Sequence, residues 1–291
     1  MRGLLLLLLL TGSGCAELTW PYAGTVSVGT TGEGWLAHGL PLPDHGPGFV
    51  RGRPGEGTRY GTPRLLAALE HAAARVATDV PGGAPLVVGD LSRDLGGRHF
   101  RHASHESGRD ADVLFYAMDA AGRSARASGF LAYDRFGLGM PRQGEAPEEP
   151  RFFDDARNWA LVRALIEDDA SEVEWIFCAR GLKARLLRYA ARTGASRELL
   201  FRASWLLQQP SHGAPHDDHF HVRVRCTDRD QSLGCRDRGP EWSWLRQQGA
   251  EDVGESLADD FLVSALLDDA PPVDDAGPHR ASADVATPNT L

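Results

Sequence analysis

The sequence predicts an α+β fold: one domain with a central, largely antiparallel sheet flanked by helices and long loops. Three observations carry this expectation. Stretches with helical and with strand periodicity both occur, no regular βαβ alternation links them, and no internal repeat is present. A chain of 291 residues, 42% of them hydrophobic, can bury one large core or at most two small ones.

The elements follow in order. Arg2, the apolar run Leu4–Leu10 and the small residues Thr11–Gly14 have the anatomy of an export signal. The run is far shorter than the roughly 20 apolar residues a membrane-spanning helix needs. Cys15 follows at the position of a lipoprotein cleavage and acylation site, although Gly12 stands where an aliphatic residue is usual, and ordinary cleavage nearby is the alternative. Residues 1–15 are thus read as a signal and residues 16–248 as the domain. Residues 249–291 are read as an acidic, mostly disordered tail, within which 256–269 could form one amphipathic helix.

Up to Pro63 the chain is rich in Gly and Pro and is expected to wrap the domain irregularly, with turns in place of regular elements. Thr62 and Pro63 then form a cap and first position for a helix whose Leu65, Leu66, Leu69, Ala73 and Val76 recur at helical spacing. A short buried strand ends at Asp90, and residues 109–119 alternate as a second strand. A helix over 153–168, a strand over 172–179, a helix over 180–194 closed by Gly194, and a final strand over 219–226 complete the domain.

The formal net charge of −9 resides in the tail, where residues 251–291 hold ten acids and one arginine. The body is neutral and has no basic stripe, which excludes a nucleic-acid footprint. Export makes disulfides permissible. Cys226 and Cys235 flank a short polar loop and are the expected pair, which leaves Cys178 in an apolar stretch.

Two segments concentrate the chemistry. In RHASHESGRDADVLF (101–115), His105 and Asp112 enclose six residues, with Gly108 between them to turn the chain back. Asp110 and Asp112 share one face of the strand that follows. In PHDDHFHVRVRC (215–226), His219, His221, Arg223 and Arg225 line one strand face, and Phe220, Val222, Val224 and Cys226 the other. Two imidazoles and a carboxylate, with water in the fourth position, make a catalytic zinc set, so His105, Asp112 and His221 are the candidate ligands. Other divalent ions fit the same donors.

No HExxH helix supplies a glutamate base. His219, two residues from His221 on the same face, is the candidate base, and His216 could orient a water or donate to an oxyanion. Either segment alone is weak, because a single H-x-H pair is more often structural. His102 reads equally as a ligand, as support for the ligands or as an exposed loop residue, Asp110 could simply bond nearby backbone, and Asp217 and Asp218 read as turn residues, one of which could support a histidine. Arg223 and Arg225 read as solvated strand positions before substrate contacts. Asp90 divides evenly between bracing a loop and touching substrate.

With these residues in place, residues 25–228 resemble the penicillin-insensitive murein endopeptidases. These lie within the LAS-type zinc peptidases, a group with lysostaphin-like enzymes, D-Ala-D-Ala peptidases and the hedgehog domain. The likeness rests on SVGTTGEGWLAHGLPLPDHGPGF, VVGDLSRDLGGRHFRHASHESGRDADV, FDDARNWALVRAL, VEWIFCARGLKARLL and PHDDHFHVRVRC. It implies zinc on His105, Asp112 and His221, His219 as base, His216 as a further active-site histidine, and His102 as an extra motif histidine. The implied reaction is hydrolysis of D-alanyl–diaminopimelyl crosslinks in peptidoglycan in the periplasm, without a serine acyl-enzyme. Family members usually carry more cysteines, including one near Trp35, and lack the apparent lipid anchor and the acidic tail. A D,D-carboxypeptidase or dipeptidase of the same group and a non-catalytic zinc-binding lipoprotein of the envelope are the alternatives.

Overall fold

The computed structural model describes residues 24–141 and 149–246. The signal, Cys15 and the tail lie outside the described residues. Helices and mostly antiparallel sheets together make an α+β fold, as the mixed periodicity implies.

The main sheet has seven strands: β1 (His45–Gly46), β2 (Phe49–Arg51), β3 (Leu86–Val88), β4 (Asp110–Leu114), β5 (Val173–Phe177), β6 (Leu207–Gln208) and β7 (His219–Val224). Across the sheet they run β6-β5-β7-β4-β3-β2-β1. The β6–β5 and β3–β2 pairs are parallel and the others antiparallel. Near the middle, β7 lies between β4 and β5. Its Phe220, Val222 and Val224 are wholly buried in the core.

That core is closed by α1 (Pro63–Asp79), α2 (Asp155–Glu167), α3 (Arg180–Arg192) and α4 (Arg197–Leu206). Leu65, Leu66, Leu69, Ala73 and Val76 of α1 are all buried, so the helical stripe in the sequence is the packed face. Thr62 caps α1 by accepting the Leu65 amide, and Asp154 caps α2 by accepting that of Arg157. Gly194, at φ +83°, follows α3 in the left-handed conformation that releases the chain. Among the described residues, no helix is long and apolar enough to cross a membrane.

The segment before Pro63 departs from the expected irregular wrap. Val26–Gly29 and Gly34–Ala37 form an antiparallel hairpin, Leu40–Pro41 pairs with Tyr60–Gly61, and β1 and β2 extend the main sheet. These strands are only two to four residues long, too short for alternation to stand out among glycines that serve as turns. Residues 197–206, not foreseen as a helix, form α4, capped by Ser196. Cys226 and Cys235 are disulfide-bonded with a Cα–Cα distance of 6.0 Å, and Cys178 is buried.

Thr62 does more than cap. Its amide donates to Gly108 O at 2.8 Å, which ties the start of α1 to the loop carrying His105. Thr62→Ala should cost about 1 kcal/mol and lower Tm in thermal denaturation; an unchanged Tm would mean the cap contributes nothing.

Candidate active site

The register of β4 against β7 builds the site. It sets His221 opposite Asp112 and Arg223 opposite Asp110. Side chains that alternate along both strands then place these four on one face. Arg223 grips Asp110 through Nε at 2.7 Å and Nη2 at 3.0 Å, a bidentate pair with both members buried. Asp110 also accepts the His105 amide at 3.2 Å and lies 3.3 Å from His221 Nε2. Arg223 and Arg225 are therefore not solvated: both are buried, and Arg225 donates to Pro240 O and pairs with Asp237.

His105 reaches the strand from a loop bent back on itself. Ser92 Oγ donates to His105 O at 2.5 Å and accepts Gly108 N at 2.8 Å, latching both ends of the turn. Gly108 has φ +76°, and a Cβ there would meet Leu36 at 2.6 Å, so the residue has to be glycine. His105 itself is held at φ +67° and His216 at φ +55°. Only four non-glycine residues among those described have positive φ, and two of them are these histidines, which places backbone strain at the site.

Around Asp112 the histidines close in. Its Oδ1 lies 3.2 Å from His105 Nε2, 3.2 Å from His221 Nδ1 and 3.3 Å from His219 Nε2. His102 Nε2 approaches Oδ2 at 3.4 Å. Asp112 and His105 are fully buried, yet neither carboxylate oxygen and neither ring nitrogen has a hydrogen-bond partner. Ligand atoms on a tetrahedron with bonds of about 2.0–2.1 Å stand roughly 3.3 Å apart. The donor set could thus hold a small divalent cation, and the Asp112 oxygens and His105 Nε2 are orphaned atoms that such an ion could satisfy.

Two histidine groups meet there. His102, His105 and Asp112 offer atoms within 4.8 Å of one another, and so do His216, His219 and His221. The His216 ring stands 4.9 Å from that of His219 and 5.4 Å from that of His221. A third group, Asp90, His99 and His102, has the same spacing but a different chemistry. Asp90 is already held by Arg101 through two contacts of 2.8 Å, by Arg53 at 2.8 Å and by Thr58 at 2.7 Å. A cation there would meet two guanidinium groups.

Electrostatics follow from these contacts. Burial opposes charge on His219, but the Asp112 and Asp218 carboxylates outweigh it and push its pKa up to about 10. His221, between Asp110 and Asp112, is pushed up to about 9 in the same way. Burial and then the neighbouring imidazoles push His216 down to about 2 and His99 down to about 4. Asp90 resists its burial through His102, Arg101, Thr58 and Arg53, and lies well below the usual carboxylate range.

The structure brings His105, Asp112, His219, His221 and His102 around one point, with His216 a ring further out. Asp110 braces the group from behind, and Asp90 orients His102 at 3.0 Å. His219 Nδ1 contacts Asp218 at 2.5 Å, so one of the two turn aspartates supports the cluster. The sequence reading missed His99, although it stands three residues before His102. It also missed the cleft wall, where Arg53, Arg101, Phe130 and His212 join the histidines around a cavity of about 360 Å³.

A cleft with a buried His/Asp cluster at its floor, able to hold a metal ion, is the architecture of a hydrolase site. Residues 27–256 match the family model of the penicillin-insensitive murein endopeptidases, and the chain belongs to that family. It is accordingly a peptidase that acts on murein, which lies outside the cytoplasm. A search of curated proteins finds no match.

The Asp110–Arg223 pair should be structural. Asp110→Asn leaves the buried guanidinium without its carboxylate and should cost about 3 kcal/mol in urea denaturation. A loss below about 1 kcal/mol would reduce the pair to the worth of a surface contact.

Proposed function

We propose that the protein is a zinc-dependent endopeptidase that hydrolyses D-alanyl–diaminopimelyl crosslinks, with zinc held by His105, Asp112 and His221. One observation carries the metal. Three fully buried carboxylates stand around the histidine cluster, and Asp90 and Asp110 each pair with guanidinium. Among the described residues, the close charged contacts of Asp112 are imidazoles alone. A buried carboxylate so placed fits a cation that the imidazoles share. His221 points Nδ1 at Asp112 while Nε2 lies near Asp110, the arrangement in which a carboxylate orients a ligand histidine. A zinc ion bound there would supply a Lewis acid for the scissile carbonyl and lower the pKa of a water.

The remaining chemistry belongs to the side chains. Asp218 can only accept, so His219 Nδ1 donates to it and Nε2 keeps the lone pair that takes the water's proton. The lift on the His219 pKa comes in large part from Asp112. Sharing that carboxylate with a cation removes much of the lift and returns His219 toward the range of a base. Ala214 O likewise fixes His216 Nδ1 as a donor at 3.0 Å. Neutral His216 then offers Nε2 as an acceptor, so it orients the water and does not donate to the oxyanion. His102, steadied by Asp90, supports the far oxygen of Asp112. Cys15 acylation would hold the enzyme at the outer membrane, facing its periplasmic substrate.

Purified protein should convert crosslinked muropeptide dimers to monomers and stop when a chelator is added. His219→Ala should retain zinc and lose at least 100-fold in kcat, whereas Asp112→Ala should lose the zinc itself, as read by elemental analysis. Full dimer hydrolysis in the presence of chelator would rule out the metal, and normal turnover by His219→Ala would remove the base.

A further inference from the structure

A second cavity, of about 420 Å³, adjoins the first and shares Arg53 and Phe130 with it. Phe130 is the partition. Its ring meets that of His219 edge-on at 5.1 Å, and its Cζ lies 3.0 Å from where a Cβ on Gly89 would be, so the second cavity begins one ring away from the histidine cluster. Arg53 stacks over the same ring at 5.4 Å and is turned along the wall by its 2.8 Å contact with Asp90. The segment carrying Phe130 is also tied to the turn leading into β7, because Tyr133 N donates to Asp217 O at 2.8 Å.

The lining of this second cavity holds, among the described residues, two arginines, Arg53 and Arg126, and no acid. Among the described residues Arg126 has no hydrogen bond or ion pair to another side chain, and it is exposed at the rim. Arg53 is already paired with Asp90, so Arg126 is the cation of this lining left to attract an anion. The cavity lies next to the histidine cluster, which suits an anion carried beside the scissile bond. In the crosslink, the nitrogen of the scissile amide is borne on a carbon that also carries a free carboxylate. With the acyl arm over the histidines, the amine-side arm would extend past Phe130 and carry that carboxylate with it.

Building on the endopeptidase reading above, we propose that the cavity beyond Phe130 seats the amine-side arm of the crosslink, with Arg126 binding the free carboxylate next to the scissile nitrogen. Arg53 is a positioning residue that keeps Phe130 upright between the two arms.

The test uses two muropeptide dimers that differ only in whether this amine-side carboxylate is free or amidated. Hydrolysis is measured with the full chain, and binding is measured by calorimetry with the His219→Ala protein. The native chain should show a KM about tenfold lower for the free acid, the worth of one charge-assisted pair. Arg126→Gln should raise the free-acid KM about tenfold with kcat unchanged, leave the amidated dimer unaffected, and be largely rescued by Arg126→Lys. The same preference should appear in the Kd values for His219→Ala and disappear when Arg126→Gln is added. Equal effects on both dimers, no effect on either, or no binding of either would overturn the subsite. Carboxylate-dependent binding without hydrolysis by the native chain would keep the subsite and remove the endopeptidase reading, so the two can fail separately.

Discussion

The pairing of β4 with β7 in one register governs the whole active region. If the strands slipped by one residue, Asp112 and His221 would face opposite sides of the sheet and Arg223 would enter the core without Asp110. Phe220, Val222 and Val224 prevent this, because the same slip would drive them out of a core in which they are wholly buried. Hydrophobic burial on one face therefore fixes the polar geometry on the other. The Asp110–Arg223 pair adds a lock of its own across the strands. Its desolvation makes it a poor source of net stability and a good source of specificity, since a mispaired register would bury two lone charges.

The sheet fixes Asp112, His219 and His221, but His105 and His216 reach the cluster from loops through left-handed backbone. Such conformations persist only where surrounding contacts over-determine them. For His105 these are the Ser92 latch and the amide bond to Asp110; for His216 they are its carbonyl's bond to Ala179 N and its ring's bond to Ala214. Rigid strands and strained loops thus meet on one carboxylate. A bound cation drawing on both would close the loops onto the sheet, which couples ligand geometry to loop order.

The legible parts of the sequence were those with a long enough period. α1 to α3 and the central strands lie where their apolar residues recur, because packing against one core imposes the spacing seen in the chain. Short strands before Pro63 escaped notice, since two or three residues cannot display a period and Gly and Pro dominate their flanks. For α4 the signals are present in the Ser196 cap and in the run of Leu199, Leu200, Ala203 and Leu206, a stretch short enough to read as part of the connection after Gly194. The His/Asp cluster was legible because its members lie in two compact segments. Arg53, Arg101 and Phe130 were not, because they come from separate loops and only the tertiary fold brings them to one cleft.

The fate of Asp90 shows how far sequence position underdetermines role. It ends a strand beside the cluster, has a histidine within reach and shares metal-compatible spacing with two of them, so composition alone would rank it with Asp112. What separates the two is the charge of their neighbours. Guanidinium groups keep their protons at any physiological pH, so Asp90 is neutralised permanently and serves as an anchor for His102. Imidazoles can give theirs up, so the charge opposite Asp112 is exchangeable between protons and a metal ion. The same buried carboxylate chemistry therefore yields a brace in one place and a reactive centre some residues away, and the choice is made by whether arginine or histidine faces it.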